Sequence, residues 1–315
     1  ATQCGASGTT GAECLARAQS LIPLLNAEAS AVEAGYELTP AVLGAMHKAG
    51  LFRLLLPRVY GGYQLRPSEY VQCIEAIARG DASAAWCMNQ GSGCSMASAY
   101  LAPEIACEVW ADPRAVLAWG QGPGARAVRA PGGWRVTGTW TFVSGARHAT
   151  WLGAMAPCFE ADGAPVHHPD GRAWERTMLI RRESVKLIDA WKVMGLRGTG
   201  SDTYVLEDVF VDDAHALTRE YAGERRLADT LYRFQAMQLY AAGFSSVALG
   251  VARATIDAFI ALAKDKTQAW STEPLRGNQA VQHTIGYWDA AVKAAKAGLL
   301  GVLDLSLIHI SEPTR

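Results

Sequence analysis

The hydrophobic pattern of this chain changes period twice, and that alternation constrains the fold more than any single motif. From Glu13 to about Glu108 apolar residues recur at helical spacing, as in Leu15, Ala18, Leu21 and Ile22, then Val42, Leu43, Met46, Ala49 and Gly50. Thr39-Pro40 reads as a helix start, with Thr39 as N-cap and Pro40 at the first helical position. Pro67-Ser68-Glu69 opens another helix that runs to Ala78, and Asp81 launches a third over Ala82 to Tyr100. At Pro113 the period becomes two. Ala127-Val128-Arg129 and Trp134-Arg135-Val136 flank a Gly132-Gly133 turn, the pattern of a hairpin. Further strands are expected around Trp140, Trp151, Met178 to Ile180 and Val185 to Ile188, with Tyr204 to Val211 the clearest alternation. Beyond Arg219 the helical period returns. Asp229 to Lys266, interrupted only by Gly243 and Gly250, would make a helix roughly 55 Å long. A second helix is expected from about Asn278 to Asp304.

The expected organisation is therefore an α+β multidomain chain: an N-terminal all-helical domain over 12–112, a middle β-barrel or sandwich over 113–215, and a long-helix bundle over 216–305. Two long helices cannot enclose a core where a bundle needs about four. Either other subunits supply the rest or the bundle is incomplete. The last residues, LSLIHISEPTR, show strand-like alternation and resemble a translated sequencing adapter, so 306–315 is expected to be a non-native tail.

Composition narrows the function. Half of the 315 residues are hydrophobic, 19% are charged, and the formal net charge is −1, which fits a sizeable core. That balance argues against nucleic acid or an anionic membrane surface as partner. No apolar run is read as long enough to span a bilayer, and Ala1 to Gly11 has no signal-peptide character. The seven cysteines form no C-x-x-C pair or zinc spacing, and read as small thiols in a reducing cytoplasm. His167-His168 falls in the loop-like EADGAPVHHPDGR, and no metal site is expected.

Two glycine-rich strings need separate treatment. Gly120-Gln121-Gly122-Pro123-Gly124 and Gly195 to Asp202 both precede strands, so neither can open the helix that a dinucleotide fingerprint requires. Each is a tight β-turn by itself. No G-x-S-x-G elbow is present.

Five segments, in order, resemble the acyl-CoA dehydrogenase superfamily: AGLFRLLLPRVYGGYQL (49–65), IARGDASAAW (77–86), GGWRVTGTWTFVSGARHATWL (132–152), MGLRGTGSDTYVLEDVFVDD (194–213) and PLRGNQAVQ (274–282). The resemblance implies a flavin held between the β-domain and the C-terminal helices. It places Phe142 against the ring system and Ser144 at the N5 edge, an aromatic face for an apolar ring and a hydroxyl for a polar rim. It also implies that Gly120, Gln121 and Gly122 meet the flavin pyrimidine, that Arg197, Gly198 and Ser201 lie beside the flavin edge, and that Lys266 reaches a neighbouring subunit's cofactor.

Departures select a branch. Where typical acyl-CoA dehydrogenases read T-E-P-x-x-G-S-D, this chain reads GQGPGARA, without the acid. The string W-x-F-x-S-G-x-x-H-A-x-W is closer to the oxygenase components of two-component flavin monooxygenases. These take reduced flavin (FMN or FAD) from a separate flavin reductase and use O2 to hydroxylate an aromatic or heterocyclic small molecule. The alternative is FAD-dependent α,β-desaturation of an acyl thioester. A homotetramer is the expected assembly. The catalytic base is expected beyond Asp304, and His148 is expected to face solvent.

Overall fold

The computed structural model describes residues 8–168, 170–219 and 221–311. Cys4 and the last four residues of the tail therefore lie outside the described residues. Helix α1 (Gly11–Ser20) is closed by a reciprocal cap. The Thr10 hydroxyl accepts from the Glu13 amide, and the Glu13 carboxylate accepts from the Thr10 amide at 2.7 Å. Helices α2 (Ile22–Gly35) and α3 (Pro40–Lys48) follow, and Thr39 caps α3 by accepting from the Val42 amide at 3.3 Å. The two central helices are α4 (Pro67–Ala78) and α5 (Ala82–Ser95). Asp81 starts α5 by accepting from the Ala84 amide at 2.7 Å. The helix expected to reach Tyr100 tightens instead into a 3-10 segment, Met96–Tyr100, before α6 (Pro103–Trp110).

Among the described residues the middle block carries eight strands: β1 (Leu117–Trp119), β2 (Arg126–Ala130), β3 (Gly133–Val143), β4 (Trp151–Phe159), β5 (Glu175–Arg181), β6 (Leu187–Ile188), β7 (Asp202–Asp212) and β8 (Ala216–Leu217). They pair in the order β6-β7-β3-β2-β4-β5-β8, with β1 joined to β4. The hairpin expected from sequence is present, with β2 and β3 joined through Pro131-Gly132, where Gly132 takes a φ of 76°. Trp140 stacks on Tyr204 at 5.2 Å inside this sheet, and both are fully buried. The β3–β7 register slips twice, the second time between Trp140 and Val143. A bulge there re-aims one side chain out of the pleat. That side chain is Phe142, at φ 56° and 60% exposed.

Two long helices follow the sheet, α7 (Ala236–Asp265) and α8 (Gln279–Ser311). Helix α7 begins later than its hydrophobic period suggests, because Thr230–Arg233 forms a separate 3-10 turn. Its glycines are not breaks. A Cβ at Gly243 would collide with the Asn89 side chain, and one at Gly250 with the Glu75 carbonyl and Ala78. They let α7 lie directly on α4 and α5. By length and composition α7 is apolar enough to cross a membrane, which corrects the expectation that no such run exists. Its apolar residues Leu239, Ala242 and Val247 are buried in the same core as α4 and α5. The strand-like alternation noted in the tail forms no strand among the described residues, since α8 continues through Ser306 to Ser311 as helix. Alternation in LSLIHIS was a poor guide because a short apolar run is compatible with either period. Lys296 on α8 pairs with Glu75 on α4 at 2.6 Å, and Arg253 on α7 bridges to Asp289 at 2.5 Å.

Candidate active site

The three blocks meet around one cavity of about 720 Å³, walled by α5, the β1–β2 turn, the end of β3, the loop before β7 and the first turns of α7. Each wall has a local cause. The bulge in β3 presents Phe142, whose ring meets Trp191 edge-on with centroids 6.0 Å apart. Helix α5 is built mostly of Ala, Ser, Gly and Cys, so its one indole, Trp86, stands out and stacks on Phe244 of α7 at 4.4 Å. The β1–β2 turn is pinned to β3 by paired backbone bonds, Gln121 N–H to the Thr141 carbonyl at 3.0 Å and Thr141 N–H to the Gln121 carbonyl at 2.8 Å. Gly120 and Gly122 lack a Cβ because one would strike the Thr141 carbonyl in the first case and the Trp140 indole in the second.

A file of hydroxyls runs along the wall of the cavity. The Trp86 Nε1–H donates to Ser144 Oγ at 3.0 Å, Ser144 Oγ lies 2.7 Å from Ser201 Oγ, and Ser201 Oγ lies 2.7 Å from Thr199 Oγ1. Thr199 Oγ1 donates in turn to the Leu196 carbonyl at 2.9 Å. All three hydroxyl residues are buried, Thr199 almost completely. The cavity wall also includes Arg219, whose guanidinium sits 4.4 Å from the Trp119 ring centroid and donates to Met155 Sδ at 2.8 Å. Among the described residues no carboxylate pairs with it.

Of the residues singled out in the sequence, Gly120, Gln121, Phe142, Ser144 and Ser201 line this cavity together, and Gly122 supports it from behind. Arg197 does not line it. Its Nη2 donates to the Tyr36 hydroxyl at 2.8 Å and its guanidinium lies over the Tyr36 ring, tying the loop to the end of α2. Gly198 is buried against Val32 and Ser83. Lys266 is the exposed C-cap of α7, about 45 Å along the helix from the cavity end of α7. The sequence reading missed Trp86, Trp191, Arg219, Tyr240 and Phe244. Only Trp86 carried a signal, as a lone large residue in a small-residue helix.

Among the described residues that line the cavity, none is a thiol, an imidazole or a carboxylate. Burial pushes the Cys94 thiol up to about 12, and burial also holds the Tyr240 phenol well above its ordinary range. His148 is corrected from its expected solvent position. It packs on Phe52 at 5.4 Å, outside the cavity, and its Nε2 is sealed without a hydrogen-bond partner. Burial, reinforced by His47, pushes it down to about 4.

Two family models match the chain in domain order: acyl-CoA dehydrogenase, N-terminal domain, over residues 19–108, and acyl-CoA dehydrogenase, C-terminal domain, over residues 242–312. The chain is 27% identical over 273 residues to indole-3-acetate monooxygenase of Pseudomonas putida, covering 85% of this chain and 67% of that protein. It is 32% identical over 203 residues to the flavin-dependent monooxygenase oxygenase subunit HsaA of Rhodococcus jostii, covering 64% of this chain and 51% of that subunit. The match thus spans about half the length of HsaA. The solved 3-HSA hydroxylase of Rhodococcus sp. RHA1 superposes with a TM-score of 0.85 at 25% identity, over 95% of this chain and 77% of that one. With both terminal models falling on the helical blocks, and the cavity closed between them by the β-domain, the chain belongs to the acyl-CoA dehydrogenase superfamily.

Proposed function

We propose that this chain acts as the oxygenase component of a two-component flavin monooxygenase. In this reading a separate flavin reductase supplies reduced FMN or FAD, and an aromatic or heterocyclic small molecule is hydroxylated with O2. The observation that carries the reading is the pairing of an outward-aimed Phe142 with the buried hydroxyl of Ser144 on a single aromatic-walled cavity. These residues fit a flavin. Phe142 offers a ring face, Gly120 and Gly122 let backbone approach a planar ligand, and Ser144 offers a polar atom at its edge. Bound flavin supplies the two electrons that activate O2. The chain's own part is to hold the ring, exclude water with Trp86, Trp191 and Phe244, and present the N5 edge to Ser144. Gln121 is assigned to the pyrimidine side and Lys266 to a neighbouring subunit, within a homotetramer built on α7 and α8.

Arg219 narrows the substrate. A guanidinium in a largely apolar cavity recruits an anion. Two relatives are named for indole-3-acetate, an aromatic ring bearing a carboxylate. A substrate of that kind would set its carboxylate on Arg219 and its ring among the aromatic walls. Cys14, Cys73, Cys87, Cys94 and Cys158 are buried thiols, in keeping with a reducing cytoplasm. The test is binding of aromatic acids against their neutral amides. Arg219→Met should weaken the acids by about tenfold or more and leave the amides unchanged. Equal weakening of both would remove Arg219 from substrate recognition.

A further inference from the structure

The hydroxyl file does more than place Ser144. We propose that Thr199 and Ser201 fix the polarity of Ser144, so that the site prefers reduced over oxidised flavin. This inference rests on the reading that puts the flavin N5 edge against Ser144.

Ser144, Ser201 and Thr199 each carry one hydroxyl hydrogen, and Trp86 can only donate. In one arrangement Thr199 donates to the Leu196 carbonyl, Ser201 to Thr199 and Ser144 to Ser201. Every hydroxyl hydrogen is then used inside the protein. Ser144 already accepts from Trp86, and it turns a remaining lone pair toward the cavity. In the reversed arrangement Thr199 donates to Ser201, Ser201 to Ser144, and Ser144 must donate into the cavity. The reversed file forgoes the bond to the Leu196 carbonyl. That carbonyl keeps its other two donors, Trp191 Nε1 at 3.1 Å and the Thr199 amide at 3.2 Å, in either case.

The two oxidation states of a flavin differ at the atom concerned. Reduced flavin carries N5–H, a donor that suits the lone pair of Ser144. Oxidised flavin carries a bare N5 acceptor, which needs the reversed file. The difference between the states is thus one hydrogen bond of the file, which in the fully reversed file is the bond from Thr199 to Leu196. Residues Thr199 and Ser201 act through Ser144 and are positioning residues. A site with this bias accepts the form a reductase delivers and releases the oxidised form afterwards.

The experiment is an anaerobic titration of the purified protein with FMN and FAD, each oxidised or dithionite-reduced, giving the ratio of the two dissociation constants. Wild type should favour the reduced form. Thr199→Val keeps the shape but deletes the anchoring donor, and should lower that preference by about fivefold or more. Thr199→Ser restores the hydroxyl and should keep it. Ser201→Ala cuts the file in the middle, should lower the preference as Val does, and serves if the Val variant fails to fold. An unchanged ratio in both Thr199→Val and Ser201→Ala overturns the inference while leaving the flavin reading intact. An equal fall in Thr199→Ser overturns it too, by pointing to packing. If wild type binds no flavin in either state, the functional reading fails along with it.

Discussion

Phe142 is the residue on which chemistry and fold meet. A bulge in β3 turns its ring out of the sheet at a φ of 56°, a conformation that a bulky residue adopts only when surrounding structure enforces it. Since its side chain is largely exposed, Phe142→Ala should change stability by no more than about 0.5 kcal/mol. Its loss should weaken flavin binding by about tenfold, the scale of one aromatic stacking contact. Equilibrium unfolding alongside flavin titration separates the two effects. A second pair of residues governs acid stability. His47 and His148 flank Phe52, and burial pushes each from 6.5 down to about 4. Between those values the unfolded chain binds protons that the folded chain refuses. Their contribution is therefore complete above about pH 6.5 and lost progressively as pH falls toward 4. Replacing His148 with Gln should flatten that part of the stability-against-pH curve, and an unchanged slope would contradict the assignment.

At the scale of elements, the seat of α7 on α4 and α5 depends on close approach. Gly243 meets Asn89, and Asn89 is held in place because its Oδ1 accepts from the Tyr70 hydroxyl at 2.5 Å. The clash cannot be relieved by rotating a free side chain. Gly243→Ala should cost about 1–3 kcal/mol, read as a lower urea midpoint. The cavity should loosen as well, because Tyr240 and Phe244 lie on the same stretch of α7. These glycines show how far the sequence could be read. Helix type, the Thr39 and Asp81 caps and the Pro131-Gly132 hairpin follow from local chemistry, and all were legible. Gly243 and Gly250 looked like interruptions because their reason lies across the core, in residues over 150 positions away. The tail misled for a related reason. Six residues of apolar alternation are too few to separate the two periods, and α8 decides by propagating through them. Within the site, Phe142 and Ser144 were legible through resemblance. Trp191, Arg219 and Phe244 were not, because only the tertiary fold gathers them, and Arg197 turns to Tyr36 and not to the cavity because nearness in sequence to Ser201 does not set which way a long side chain turns.

For the whole molecule, the exposed apolar residues of the last two helices bear on assembly. Met237, Leu262, Tyr287, Trp288, Val302, Leu305 and Ile308 are all more than half exposed. Large exposed apolar side chains on two neighbouring helices are a feature of association faces. The proposed tetramer predicts a sedimenting mass about four times that of one chain, and Trp288→Glu should lower it; a monomer in wild type would contradict the assembly and the role of Lys266 together. The reaction itself depends on whether the cavity handles O2 and an aromatic ring or an acyl thioester. The most direct measurement supplies the purified protein with a flavin reductase, NADH, FMN or FAD, an aromatic acid and isotopically labelled dioxygen, and follows the product by mass spectrometry. The account predicts a hydroxylated product carrying the label, formed only when the reductase and flavin are both present. Absence of labelled product, with bound flavin instead bleached anaerobically by an acyl-CoA, would contradict it.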